Sequence, residues 1–160
     1  MSDIGLYFAH ENARSSQSEM ISDGVRALTN GGFLLAAAPT GIGKTAAALA
    51  SALHSSFDNH ISPDRANIIF MTGRQTQHKI VVDTVRKINS RIPDGVPKIS
   101  LVDIIGREGM CDHVDKMTGK CDCEDGVVEE SRKSRRADLR RKLLDEPQHV
   151  DWTVKYGRSC

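Results

Sequence analysis

The chain has 160 residues, enough for one modest domain or a domain with a small insert, but too few for a two-domain motor. Lys and Arg number 22 against 21 Asp and Glu, so the overall charge gives no reason to expect binding to nucleic acid or to a membrane. Since the longest apolar run, residues 33–39, is too short to cross a bilayer and no secretory leader pattern stands out, we expect no membrane contact and a cytoplasmic location, or a nuclear one if eukaryotic.

Short apolar runs alternate with helical stretches over the first two thirds of the chain. Residues 33–38, 67–72 and 99–105 have the composition of buried strands. Residues 44–55 and 75–90 have the periodicity of helices. Strands and helices in alternation are typical of a parallel sheet with right-handed crossovers, so the sequence predicts an α/β fold with helices flanking the sheet.

A glycine-containing loop connects the first predicted strand to the first predicted helix. Gly41 and Gly43 let the backbone approach phosphates, Lys44 supplies a positive charge, and the Thr45 hydroxyl is the expected Mg²⁺ ligand. The pattern predicts a Walker A site for ATP in a P-loop (RecA-like) fold, with Lys44 and Thr45 as catalytic residues; the alternative is an ordinary tight turn. The loop consists of Ala38, Pro39, Thr40, Gly41, Ile42, Gly43, Lys44 and Thr45.

Two features of this region resemble superfamily 2 helicases. The strict Walker pattern has Gly where this chain has Ala38, and A-x-x-G-x-G-K-T resembles the helicase form. Residues 14–20 resemble the R-x-x-Q-x-x-M segment that precedes the loop in those proteins, where the Gln reads the adenine edge. The resemblance implies that Arg14 and Gln17 contact the nucleotide; alternatively, they lie on a solvated helix face.

A polar, cationic segment follows the second predicted strand, at the sheet edge where ligands of open parallel sheets bind. Thr72, Arg74 and Gln77 resemble the helicase element that touches the phosphodiester backbone of single-stranded DNA. The resemblance implies a DNA-binding role for these three residues. The alternative is a helix-capping loop with solvated charges.

Beyond residue 105 the chain becomes polar and carries all four cysteines, so we place a boundary between an ATP-binding part, residues 1–105, and a metal-binding insert, residues 106–160. The cysteines follow the pattern C-x9-C-x-C-x36-C, and thiolates suit iron–sulfur clusters or zinc. Three arrangements are open: an iron–sulfur cluster on all four thiols, zinc with His113 replacing the last of them, or uncoordinated thiols. The four are Cys111, Cys121, Cys123 and Cys160.

A Walker loop followed by a four-cysteine insert that opens with G-R-x-x-x-C resembles the XPD family of DNA helicases, including its DinG branch. The resemblance implies a 4Fe–4S cluster held by the four cysteines. It also implies ATP-dependent 5′-to-3′ unwinding of DNA at junctions of single-stranded and duplex DNA, in DNA repair.

A strongly basic helix is predicted over residues 128–144. Between Glu129 and Lys142 there are seven cationic and three acidic side chains. A stripe of this kind can neutralise phosphates, so Arg135, Arg136 and Arg140 are candidate DNA contacts; the alternative is a solvated helix face.

ATP hydrolysis in such helicases requires an acidic pair after a buried strand, and no such pair is evident in this sequence. We therefore expect a portion of a helicase, acting with the rest of that helicase or a complementary chain and unable to hydrolyse ATP efficiently alone. Two alternatives are a non-catalytic single-stranded nucleic-acid binding module with a zinc or iron–sulfur site, and a P-loop kinase or unrelated ATPase with a zinc insert.

Overall fold

The fold is described from a computed structural model, in which residues 5–58, 67–111, 113–120 and 128–159 are described. Two compact units divide the chain, Met1–Lys98 and Ile99–Cys160. Within the described residues the regular elements are six helices: α1 Ser15–Thr29, α2 Lys44–Asp58, α3 Gln75–Arg91, α4 Arg107–Met110, α5 Glu129–Asp145 and α6 Val150–Ser159. None of these helices is long and apolar enough to cross a membrane.

The first unit is built on α1, α2 and α3, and its core consists mainly of aliphatic side chains from these helices, with Phe8 buried before α1. Ile21 of α1, Ala47 of α2 and Ile88 of α3 are fully buried, and the remaining core positions recur at helical spacing. The sequence predicted helices over most of α2 and α3, and both are present. α1 extends the segment that begins at Arg14 into a helix of 15 residues.

Close contact between α1 and α2 depends on a glycine. Gly24 is buried, and a Cβ atom at this position would lie 2.6 Å from the Ser51 Oγ. The Ser51 hydroxyl donates to the Ala47 carbonyl at 2.9 Å and lies 3.4 Å from the Ile21 carbonyl. The two helices therefore approach closely where neither carries a bulky side chain.

The second unit buries much less apolar surface. Leu143 is the single buried residue of α5, and Val150 is the buried residue at the start of α6. Asp103 is buried as well, and its carboxylate accepts a hydrogen bond from the Val150 N–H at 2.9 Å. Since Asp103 is 47 positions away from Val150 in the chain, this bond ties the start of the unit to α6.

The predicted parallel sheet is wrong. Residues 33–38, 67–72 and 99–105 form no strand, and the isolated parallel bridge between Val102 and Gln148 does not extend into a ladder within the described residues. The described structure is all-helical, which is incompatible with a P-loop (RecA-like) α/β fold. An apolar run signals β-propensity, but a strand exists only through hydrogen bonds to a neighbour that the run does not specify.

Side-chain exposure shows what the absence of a sheet means for these segments. Phe33 and Leu35 are 92% and 94% exposed, and Ile69 and Met71 are 84% and 86% exposed, whereas the residues between them are more covered. The apolar runs of the first unit therefore have one largely open face. The apolar composition of these runs predicted buried strands, and the structure contradicts both the strands and the burial of their most exposed residues.

Candidate nucleotide-binding site

The loop 38–45 contains two glycines in a left-handed backbone conformation. Gly41 and Gly43 have φ angles of +85° and +82°, a left-handed conformation that glycine adopts without steric cost. α2 begins directly after the loop, and the Ala47 N–H donates to the Gly43 carbonyl at 3.1 Å. The amides before Ala47 thus have no acceptor within the helix and are available to an anion.

The side chain of Lys44 folds back over this loop. Its ammonium donates to the Ala38 carbonyl at 3.0 Å and to the Pro39 carbonyl at 2.7 Å. No acidic residue lies in the first turn of α2, so no carboxylate competes there for the cation or repels an anion. A positive charge is therefore held at the helix N-terminus by two neutral acceptors.

Arg14 and Gln17 both contact the loop. The Arg14 guanidinium donates to the Gly41 carbonyl at 3.0 Å, across 27 positions of the chain. Gln17 is 5% exposed; its Oε1 accepts from the Arg14 N–H at 3.0 Å, capping the start of α1. Its amide nitrogen lies so near Gly43 that any Cβ there would overlap it. The start of α1 and the loop 38–45 thus meet at one place.

A cleft of about 320 Å³ lies next to the loop, between α1 and residues 34–39. Met20 and Ile42 contribute apolar surface, and Glu19 and Asp23 contribute carboxylates. The volume falls at the lower end of the range for small-ligand sites. The two carboxylates would repel phosphate groups from the cleft itself.

The polar residues predicted to contact DNA in the first unit lie at the start of α3. The Thr72 hydroxyl donates to the Arg74 carbonyl at 3.0 Å, and Arg74 is the N-cap residue, with Gln77 donating its N–H to the same carbonyl at 3.0 Å. Arg74 and Gln77 are exposed. These contacts are those of a helix-capping turn, and a DNA-binding role for the three residues stays a prediction.

The arginines predicted to contact DNA in the second unit, Arg135, Arg136 and Arg140, lie on α5 and are exposed. The Arg135 guanidinium donates to the Ser131 hydroxyl at 3.2 Å, one helical turn away. These arginines belong to the second unit and the loop 38–45 to the first.

Cys111, at the C-terminal end of α4, is half-buried, whereas Cys121, Cys123 and Cys160 lie outside the described residues. Among the described residues no group of three or more His, Cys, Asp or Glu side chains is placed to hold a metal ion. The 4Fe–4S cluster and its zinc alternative with His113 therefore stay predictions.

The segment after Cys111 is organised by Asp115. Its carboxylate accepts from the Met117 N–H at 2.7 Å and the Thr118 N–H at 3.1 Å, and these bonds lower the pKa of Asp115. The Arg107 guanidinium then donates to the Gly119 carbonyl at 2.8 Å. A cleft of about 410 Å³ is lined by α4 and this turn. The local order here comes from backbone and side-chain hydrogen bonds of the chain itself.

Comparison with family models, with curated proteins and with solved structures found no match to this chain.

Proposed function

We propose that this chain binds ATP through the loop 38–45 and is the ATP-binding portion of a DNA helicase. The observation that carries the proposal is the meeting of Arg14 and Gln17 with the loop. Both segments were selected from the sequence for the same ligand, and in the structure Arg14 bonds Gly41 while Gln17 packs on Gly43. Cationic groups and unpartnered helix amides at one turn are the elements that recognise a polyphosphate.

On phosphate binding, Lys44 would replace its contacts with the loop carbonyls by contacts with phosphate oxygens. The Ala38 and Pro39 carbonyls now accept from its ammonium. A phosphate oxygen carries a full negative charge and forms a stronger bond to an ammonium than a neutral carbonyl does. Lys44 would therefore turn from its own loop toward the ligand, and the Thr45 hydroxyl beside it would hold Mg²⁺.

Gln17 supports the site through the backbone of the loop. Its buried amide group bonds Arg14 and contacts Gly43, so it couples the first turn of α1 to the turn that receives phosphate. The helicase resemblance assigns the Gln to adenine recognition, and the cleft beside α1 provides room for a base. Within this proposal, DNA is the polymer on which the ATP-driven protein acts.

The experiment is a titration of the chain with a fluorescent ATP analogue in the presence of Mg²⁺. Lys44→Ala removes the lysine of the loop itself. We expect this change to weaken binding of the analogue about 10- to 100-fold, since hydrogen bonds to charged groups contribute about 1.5–3 kcal/mol. Lys79→Ala is the matched control, because Lys79 is an exposed lysine of α3 in the same unit. It should bind the analogue as the unmodified chain does.

Equal affinities for the unmodified chain and Lys44→Ala would contradict the proposal. So would binding of the analogue that does not depend on the triphosphate, which is tested by competition with adenosine. Far-UV circular dichroism of both variants checks that the helices persist.

A further inference from the structure

The α6 helix carries a stacked pair of aromatic side chains that no sequence motif identified. The rings of Trp152 and Tyr156 are parallel, with centroids 5.0 Å apart and planes inclined by 5°. The two residues are four positions apart on α6, so both lie on one face of the helix. Both side chains are partly exposed. The second unit therefore holds a stacked aromatic pair that solvent reaches in part.

The α5 helix fixes one end of this pair. The Lys142 ammonium lies 5.3 Å from the centroid of the Tyr156 ring, in a cation–π contact. The Tyr156 hydroxyl donates to the Asp138 carboxylate, which also pairs with the Arg141 guanidinium. Tyr156 is thus held by α5 from two directions, and Trp152 stacks on a ring that is already fixed.

The surface beside the aromatic pair is cationic. α5 has seven Lys and Arg against four Asp and Glu, and its 17 residues span about 25 Å. Asp138, the acidic residue that contacts the pair, has its charge compensated by Arg141. Arg135 lies two helical turns before Lys142 and therefore on the same face of α5. The phosphates of a chain lying along this face would meet positive charge.

Aromatic surface combined with a row of cations fits a single-stranded polynucleotide better than the other polyanions. A base presents a flat π-face for stacking, and phosphates repeat along its backbone. An acidic peptide would use the cations and leave the rings without a role. A membrane surface would require an apolar helix face, and α5 buries one leucine and is otherwise mainly polar.

We propose that α5 and α6 form a binding site for single-stranded polynucleotide, in which a base stacks on Trp152 and phosphates contact Lys142 and Arg135. The inference rests on the proposed function in one respect, namely that a nucleic acid is the polymer on which the protein acts. The proposed site includes Trp152 of α6, a residue that the helicase resemblance does not name.

Trp152 is the only tryptophan of the chain, so its fluorescence reports on this site alone. The full chain is titrated, without ATP, with an oligothymidylate and with an oligouridylate, which distinguishes DNA from RNA as the source of the ligand. We expect quenching of Trp152 by one or both. The affinity is measured independently through the anisotropy of a labelled oligonucleotide, at several salt concentrations.

Three variants separate stacking from charge. Trp152→Ala should weaken binding about 5- to 100-fold and leave the salt dependence unchanged, whereas Trp152→Phe, which keeps a ring, should lose less than about threefold. Lys142→Gln should weaken binding and lower the slope of log affinity against log salt by about one. Lys116→Gln, at an exposed lysine outside α5 and α6, is the matched control and should change neither quantity.

The proposal is overturned if neither oligonucleotide quenches Trp152, or if Trp152→Ala binds as tightly as the unmodified chain with its helicity intact. Binding of poly-glutamate with equal affinity and equal quenching would overturn it too, because stacking would then have no part. Failure of the proposed ATP site is distinguishable: loss of ATP binding with Trp152 quenching intact leaves this site standing, and the converse result removes this site alone.

Discussion

Helices α3 and α5 each have 17 residues, but different forces hold them in place. α3 buries six residues, including Val82, Val85 and Ile88, against the first unit. α5 buries Leu143 alone, and its contacts with α6 include a phenol–carboxylate hydrogen bond and a cation–π contact. The first unit should therefore be sensitive to changes in side-chain volume, and the second to changes in charge.

Polar contacts also hold the start of α6 in the second unit. The buried Asp103 carboxylate receives the Val150 N–H at the start of α6, and His149 Nε2 lies 3.7 Å from the same carboxylate. His149 Nδ1 in turn lies 3.2 Å from the Asp151 carboxylate. These polar contacts position α6 through the directional geometry of hydrogen bonds and ion pairs. The core of the first unit instead positions its helices through the close packing of side chains.

The largest effect that we expect comes from truncating a buried residue of α3. Ile88→Ala should lower the free energy of unfolding by about 2–5 kcal/mol, because Ile88 is fully buried and the neighbouring side chains close the resulting cavity only in part. Ile80→Ala makes the same change on the same helix at a residue that is 53% exposed, and should cost less than about 1 kcal/mol. Urea unfolding followed by circular dichroism measures both.

Similar losses for the two variants would contradict the comparison. They would mean that the buried face of α3 contributes no more than its exposed face, so that packing does not distinguish the first unit from the second.

The next effect compares two helical glycines, one in each unit. Gly24→Ala places a Cβ atom 2.6 Å from the Ser51 Oγ and should destabilise the chain by about 1–3 kcal/mol through overpacking. Gly157→Ala on α6 meets no atom within 4 Å and should instead stabilise the chain by about 0.5–1 kcal/mol, since alanine favours the helix. Thermal unfolding of the two variants should shift in opposite directions, and shifts of the same sign would disprove this assignment.

These particulars show which features the sequence could specify. The helices α2, α3 and α5 were predictable because the period of their apolar or charged residues is local information. The pairing of residues 33–38, 67–72 and 99–105 was not predictable, since a ladder depends on long-range hydrogen bonds, and the described residues form no ladder.

The candidate nucleotide site likewise has residues that a local motif identifies and contacts that it does not specify. Gly41, Gly43 and Lys44 could be selected from a compact motif, and the structure gives both glycines the positive φ that such a turn requires. The contacts of Arg14 with Gly41 and of Gln17 with Gly43 involve residues far apart in the chain, and only the resemblance pointed to them. Trp152 and Tyr156 carried no motif. Their i, i+4 spacing on a helix was the signal that could have found them.

The smallest effect that we predict concerns pH and the contact between α5 and α6. The Tyr156 hydroxyl, and then Arg141, lower the pKa of Asp138 below its ordinary value of 3.8. A depressed pKa in the folded state means that the ionised carboxylate stabilises the contact above the ordinary pKa, and that this stabilisation is lost as the pH falls below 3.8 through the lower folded value. Tyr156→Phe removes the larger cause, so the pKa of Asp138 should rise.

Carboxyl ¹³C shifts during an acid titration measure this pKa, and Asp115 is the internal control. Its pKa is lowered mainly by the backbone amides of Thr118 and Met117, which Tyr156→Phe does not alter, so it should titrate as before. If Asp138 titrates at its ordinary value in both proteins, the bond to Tyr156 does not form in solution. The contact between α5 and α6 would then be reduced to the cation–π pair of Lys142 and Tyr156, and the contrast between the two 17-residue helices would be weaker.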